Sequence, residues 1–106
     1  MGRYRLLPSA EIDLEAIHEY TTETWGSAQA KTYLSGLRRC FENLARHPLI
    51  APLANPGSPI RIALYREHRI LYRPGPEGIE VGRVLHQARD FARILDRFRD
   101  LAERDS

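Results

Sequence analysis

The sequence predicts a two-layer α+β domain in the order β-α-α-β-β-β-α, and three observations carry that prediction. Residues 60–90, IRIALYREHRILYRPGPEGIEVGRVLHQARD, divide into three short strand-like runs joined by two tight connections. Two long stripes at helical spacing precede them, with Gly26 between. A last apolar stripe follows Asp90. Helices that are segregated from the strands along the chain pack on an antiparallel sheet rather than alternating with a parallel one. The length, 106 residues, suits one domain over 1–106.

Arg3-Tyr4-Arg5-Leu6-Leu7 reads as a first strand, ended by Pro8. How it joins the sheet is not legible in the sequence. Ser9 has the side chain of a helix N-cap, and Glu11, Asp13 and Glu15 put negative charge near the positive helix end. Ala10, Leu14, Ile17, Thr21 and Trp25 recur at helical spacing and are expected to face inward, flanked by Ile12 and Tyr20. Gly26 ends this helix and Ser27 starts a second, so the two form an antiparallel hairpin. Ala30, Leu34, Leu37, Phe41 and Leu44, widened by Tyr33 and Ala45, are its buried stripe, and Pro48 stops it.

Residues 49–59 hold three prolines and a glycine, which makes an irregular loop. Its Leu49, Ile50 and Leu53 are expected to lie against the body. Ile60, Ile62 and Leu64 alternate with Arg61, Ala63 and Tyr65, placing the branched side chains on one face. Ile70-Leu71-Tyr72 is a continuous apolar run, as an inner strand requires. Pro74-Gly75-Pro76-Glu77-Gly78 is a hairpin loop. Ile79, Val81 and Leu85 then share one face, and Glu80, Gly82, Val84 and His86 the other. Connections this short impose antiparallel pairing. Asp90 caps a last helix whose apolar face is Phe91, Ile94, Leu95, Phe98, Leu101 and Ala102.

Composition narrows the function classes. Apolar residues make up 42% of the chain, so it folds. The lone Cys40 excludes an internal disulfide and suits a reducing cytosol; beside Phe41 it reads as an inert thiol. No apolar run spans a bilayer, and the opening MGRYRLLPSAEID lacks a signal-peptide core, so the expected location is cytoplasmic. The four histidines show no ligand spacing, and no glycine-rich phosphate loop follows a strand, so no metal or cofactor is expected. Of the 16 basic residues only Lys31 is lysine. Two readings of that bias stand: forked contacts to an acidic partner, or a GC-rich genome.

Three segments, in order, resemble the RelE/ParE superfamily of type II toxin–antitoxin toxins, nearest the ParE branch. They are Tyr4-Arg5-Leu6-Leu7-Pro8-Ser9-Ala10 through Asp13-Leu14, Ile17 and Tyr20 to Trp25-Gly26; Ala30, Tyr33 and Leu37 through Phe41, Leu44-Ala45 to His47-Pro48; and Arg69-Ile70-Leu71-Tyr72-Arg73 with Ile79-Glu80-Val81, Arg83-Val84-Leu85-His86-Gln87 and Arg89-Asp90. The Leu-His-Gln-x-Arg-Asp end is the most specific. The resemblance implies a small toxin neutralised by a ParD-like antitoxin, with DNA gyrase as target and no sequence-specific nucleic-acid contact of its own. The RelE branch implies ribosome-dependent mRNA cleavage instead, and fold cannot choose between them.

Metal-free RNA cleavage needs a base, cations for the phosphate and an acid for the leaving oxygen. Arg61, Arg69 and Arg83 are the candidate cations and His86 the candidate base, but no tyrosine follows Tyr72 and the matching acid is missing. His86 also reads as a structural side chain bonding nearby backbone. Arg61, Arg69, Arg73, Arg83 and Arg89, with Phe91, are the candidate partner-binding set. Arg83 has a second reading, as a structural pair with a carboxylate near Glu80 or with Asp90.

Overall fold

A computed structural model of the chain describes residues 2–88. The elements are β1 (Arg3–Leu6), α1 (Pro8–Trp25), α2 (Ser27–Arg46), β2 (Arg61–Tyr65), β3 (His68–Pro74) and β4 (Gly78–His86). The helix expected after Asp90 lies outside the described residues. The strands form one sheet in the order β1-β4-β3-β2. The β2–β3–β4 meander is antiparallel, as expected. The first strand joins beside β4 in parallel, Arg3 opposite Gly78 and Leu6 opposite Val81, so the sheet is mixed. The helix hairpin lies between β1 and the meander in the chain and supplies the length a parallel return needs. Gly78 permits the close approach, because a Cβ there would collide with the Arg3 backbone.

Gly26 alone separates the helices. Its φ of 95° favours glycine, and its N–H closes α1 on the Thr22 carbonyl. Ala30, Leu34, Leu37, Phe41, Leu44 and Ala45 of α2 are buried as the stripe requires. Phe41 packs at 5.3 Å and a tilt of 56° on Tyr4, which ties α2 to β1. Ala10, Leu14, Ile17 and Thr21 of α1 are buried too.

Several expectations fail for identifiable reasons. Trp25 is 70% exposed, because α1 ends there and has run past the sheet-covered side. Ser9 is no cap: Leu7 holds that place, Pro8 opens the helix, and the Ser9 hydroxyl donates instead to the Gly82 carbonyl at 2.6 Å. In β2 the helix-facing side chains are Ala63 and Tyr65, while Leu64 is 64% exposed. The helix α2 approaches so closely that a Cβ on Gly36 would run into the Tyr65 hydroxyl. The small Ala63 fits under such an approach better than the branched Ile62 and Leu64 do. In β4 the faces switch at a bulge. Leu71 pairs with Arg83 and Tyr72 with Val81, so Gly82 is the extra residue. Val84 thereby joins Ile79 and Val81 in the core, and Leu85 pairs with Arg69 on the opposite face.

The loop after α2 does not bury Leu49, Ile50 and Leu53, which are 67%, 65% and 44% exposed. Ala51 enters the core in their place. Backbone bonds decide this. Arg61 Nη1 donates to the Leu49 and Ala51 carbonyls, Tyr72 Oη to Pro48, the Ile62 N–H to Pro52, and the Ala54 N–H to Ile60.

Candidate functional site

The strand β1 ends at Leu6, so among the described residues no strand flanks the outer edge of β4, opposite β3, beyond Val81. Two side chains of α1, one helical turn apart, close it instead. Ser9 donates to Gly82, and Asp13 accepts the Val84 N–H at 2.9 Å. The same carboxylate accepts Arg83 Nε at 2.8 Å and Nη2 at 3.2 Å, a forked pair. Arg83 is therefore paired with Asp13, seventy residues away in the chain; Asp90, one of the partners expected for it, lies outside the described residues. The bulge at Gly82 also removes Arg83 from the face of Val81 expected for it.

This latch forms one end of an open groove of about 560 Å³. One wall is α1, with Ala16, Ile17, Tyr20, Thr21 and Trp25; the other is Tyr33 of α2 with the β2–β3 turn, Tyr65–His68; Val84 and His86 lie between. Tyr20 is 50% exposed. The turn is tight because Arg66 takes φ 51°, which lets His68 fold back opposite Tyr65.

A chain of polar rings lines the groove. Tyr33 Oη lies 2.6 Å from His68 Nδ1, and burial pushes the Tyr33 phenol up to about 12, so it stays a neutral hydroxyl. The His68 and His86 rings meet edge-on at 5.4 Å, as their pairing across β3 and β4 dictates. His86 Nδ1 accepts the Ala88 N–H at 3.3 Å, and its Nε2 lies 3.5 Å from Glu67. These bonds fix the ring at the side of the groove. The sequence offered no way to see the pair: His68 looked isolated until the register placed it opposite His86.

The remaining arginines are held separately. Arg61 is spent on the loop carbonyls. Arg73 donates to Glu80 at 2.8 Å, and Arg5 approaches the same carboxylate at 3.7 Å, both directly across from it on neighbouring strands. Arg69 lies on the sheet face away from the helices, paired with Leu64 and Leu85. Arg89 and Phe91 lie outside the described residues. Cys40 is half-buried, and burial pushes its thiol up, away from reactivity. Among the described residues no helix is long and apolar enough to cross a membrane, and no three His, Cys, Asp or Glu side chains converge on a metal-sized site.

Residues 4–91 match the family described as the ParE toxin of the type II toxin–antitoxin system parDE. The chain belongs to the ParE toxin family. It is 38% identical over 96 residues to Toxin ParE1 of Mycobacterium tuberculosis, covering 89% of this chain and 98% of that one. It is 35% identical over 92 residues to Toxin ParE1 of Caulobacter vibrioides, covering 83% and 92%. Toxin ParE of Escherichia coli is 30% identical over 103 residues, covering 93% and 99%. A solved structure described as a chromosomal ParDE system from P. aeruginosa shares the fold, with a TM-score of 0.68 at 18% identity over 81% of this chain and 96% of that one. The ParE match takes in α1 and α2, β1 from Tyr4 onward, the whole of β2, β3 and β4, and every residue of the groove.

Proposed function

We propose that this ParE-family toxin arrests growth by binding a cellular target, with DNA gyrase the target implied by its branch, and that a ParD-like antitoxin neutralises it in the cytoplasm by seating an amphipathic segment in the groove beside α1. The observation that carries this is the exposure of Trp25, 70%, and Tyr20, 50%, along a groove where Ile17 and Val84 lie beside the polar rings of Tyr33, His68 and His86. Large aromatic side chains left in water beside a groove are the usual anchors of a protein interface. A binding action rather than RNA cleavage is supported by the bonds of Arg61, Arg73, Arg83 and His86, each already committed to a protein group.

The test pairs two purified systems. The chain alone should inhibit supercoiling by gyrase and leave ribosome-bound mRNA intact, and adding the antitoxin encoded beside it should restore supercoiling. Cleavage of mRNA on ribosomes, with gyrase untouched, would replace this reading with the RelE-like endonuclease.

A further inference from the structure

The loop after α2 is unlike an ordinary exposed connection in two respects. It shows Leu49, Ile50 and Leu53 to solvent at 67%, 65% and 44%. Yet its backbone is tied down by the Arg61 guanidinium, the Tyr72 hydroxyl and the two backbone bonds to Ile60 and Ile62. A loop that merely wandered would hold neither that shape nor three apolar side chains in water. A preorganised loop loses little freedom when it docks. Exposed apolar groups on a rigid scaffold mark contact surfaces.

The loop itself carries charge of one sign. Between Glu42 and Glu67 the chain contains no Asp or Glu; Arg46 and Arg61 lie at the loop, while Arg66 belongs to the groove beside α1. Arg46, at the end of α2 just before the loop, is exposed, as is His47. The groove beside α1 has a different lining, with none of Leu49, Ile50 or Leu53 in it.

We propose that this loop is the toxin's target-docking face, separate from the antitoxin groove, and that the surface it takes is an acidic protein surface with an apolar recess for Leu49 and Ile50. Arg46 steers that surface in, and the leucine and isoleucine side chains supply the desolvated contact. The proposal rests on the reading that the toxin acts by binding a target; it does not need that target to be gyrase.

The test uses the full chain in three forms: wild type, Leu49→Ser with Ile50→Ser, and Arg46→Glu. Each is induced in a bacterial host at matched expression, and each is titrated with the antitoxin encoded beside it. All the substituted side chains are exposed, so the variants fold, which the antitoxin titration also verifies. The expected result is loss of growth arrest in both variants, with antitoxin affinity within about twofold of wild type and gyrase inhibition weakened about tenfold or more. If wild type leaves gyrase active but arrest still depends on the loop, the gyrase assignment fails and the docking face stands. Variants that arrest growth like wild type overturn the proposal, as do variants that lose antitoxin affinity in equal measure. Binding of a labelled DNA duplex that Arg46→Glu abolishes and the serine pair spares overturns it too, in favour of a phosphate-binding face.

Discussion

Replacing Asp13 by alanine tests how the helix layer is fixed to the sheet. The carboxylate does two jobs. It accepts the Val84 N–H at the open edge of β4, and it pairs with Arg83. Its side chain is 14% exposed, so water does not readily replace it, and an orphaned buried N–H costs about 1–3 kcal/mol. The Arg83 side chain is 42% exposed, so its ion pair is screened and counts for less than about 1 kcal/mol. Asp13→Ala should therefore cost about 2–3 kcal/mol, and at roughly 4–5 °C per kcal/mol for a domain of this size Tm should fall by about 10 °C. Arg83→Met should cost no more than about 1 kcal/mol. Asp13→Asn should fall between, because its amide oxygen can still accept from Val84. Urea unfolding of the three variants and the Asp13→Ala/Arg83→Met double variant gives the comparison. High salt should shrink the Arg83→Met cost and leave the excess cost of Asp13→Ala in place. An Asp13→Ala cost equal to that of Arg83→Met would refute the reasoning, since the ion pair would then account for everything and edge closure for nothing.

Three further outcomes are expected. The raised Tyr33 phenol, near 10 when unfolded and about 12 when folded, stabilises the fold below pH 10, and that contribution is lost as pH rises from about 10 towards 12. Alkaline unfolding of Tyr33→Phe should accordingly be less steep than that of wild type across this window, the Tyr72 share being common to both. Trp25→Ala should leave thermal stability within about 0.5 kcal/mol, as expected at an exposed site, while weakening antitoxin binding at least about tenfold, measured by calorimetry. Gly78→Ala should cost several kcal/mol, since the added methyl meets the Arg3 backbone, which cannot swing aside as a side chain could; circular dichroism melting would show it, and an unchanged Tm would disprove the tight β1–β4 approach.

What could be read in the sequence and what could not separate along one physical line. The α2 stripe was legible because five apolar residues at steps of three and four leave only one face to bury, and all five are buried. The meander was legible because its connections are too short for any other pairing. The errors arose wherever a second element decides. Alternation alone cannot say which face of β2 meets the helices; Gly36 of α2, having no side chain, leaves room for the Tyr65 ring, and Ala63 lies on the same inward face. Alternation along β4 holds only until Gly82, where one extra residue carries Val84 into the core and reassigns every side chain after it. The same bulge lies beside the residues that Ser9 and Asp13 hold. The helix therefore seals the strand at the point where β1 has ended and the β4 register has slipped. A reading confined to one segment sees a capping serine, an acidic first turn and a strand arginine. Together they form a single joint, and that joint sets the end of the groove in which the aromatic side chains of α1 face His68 and His86.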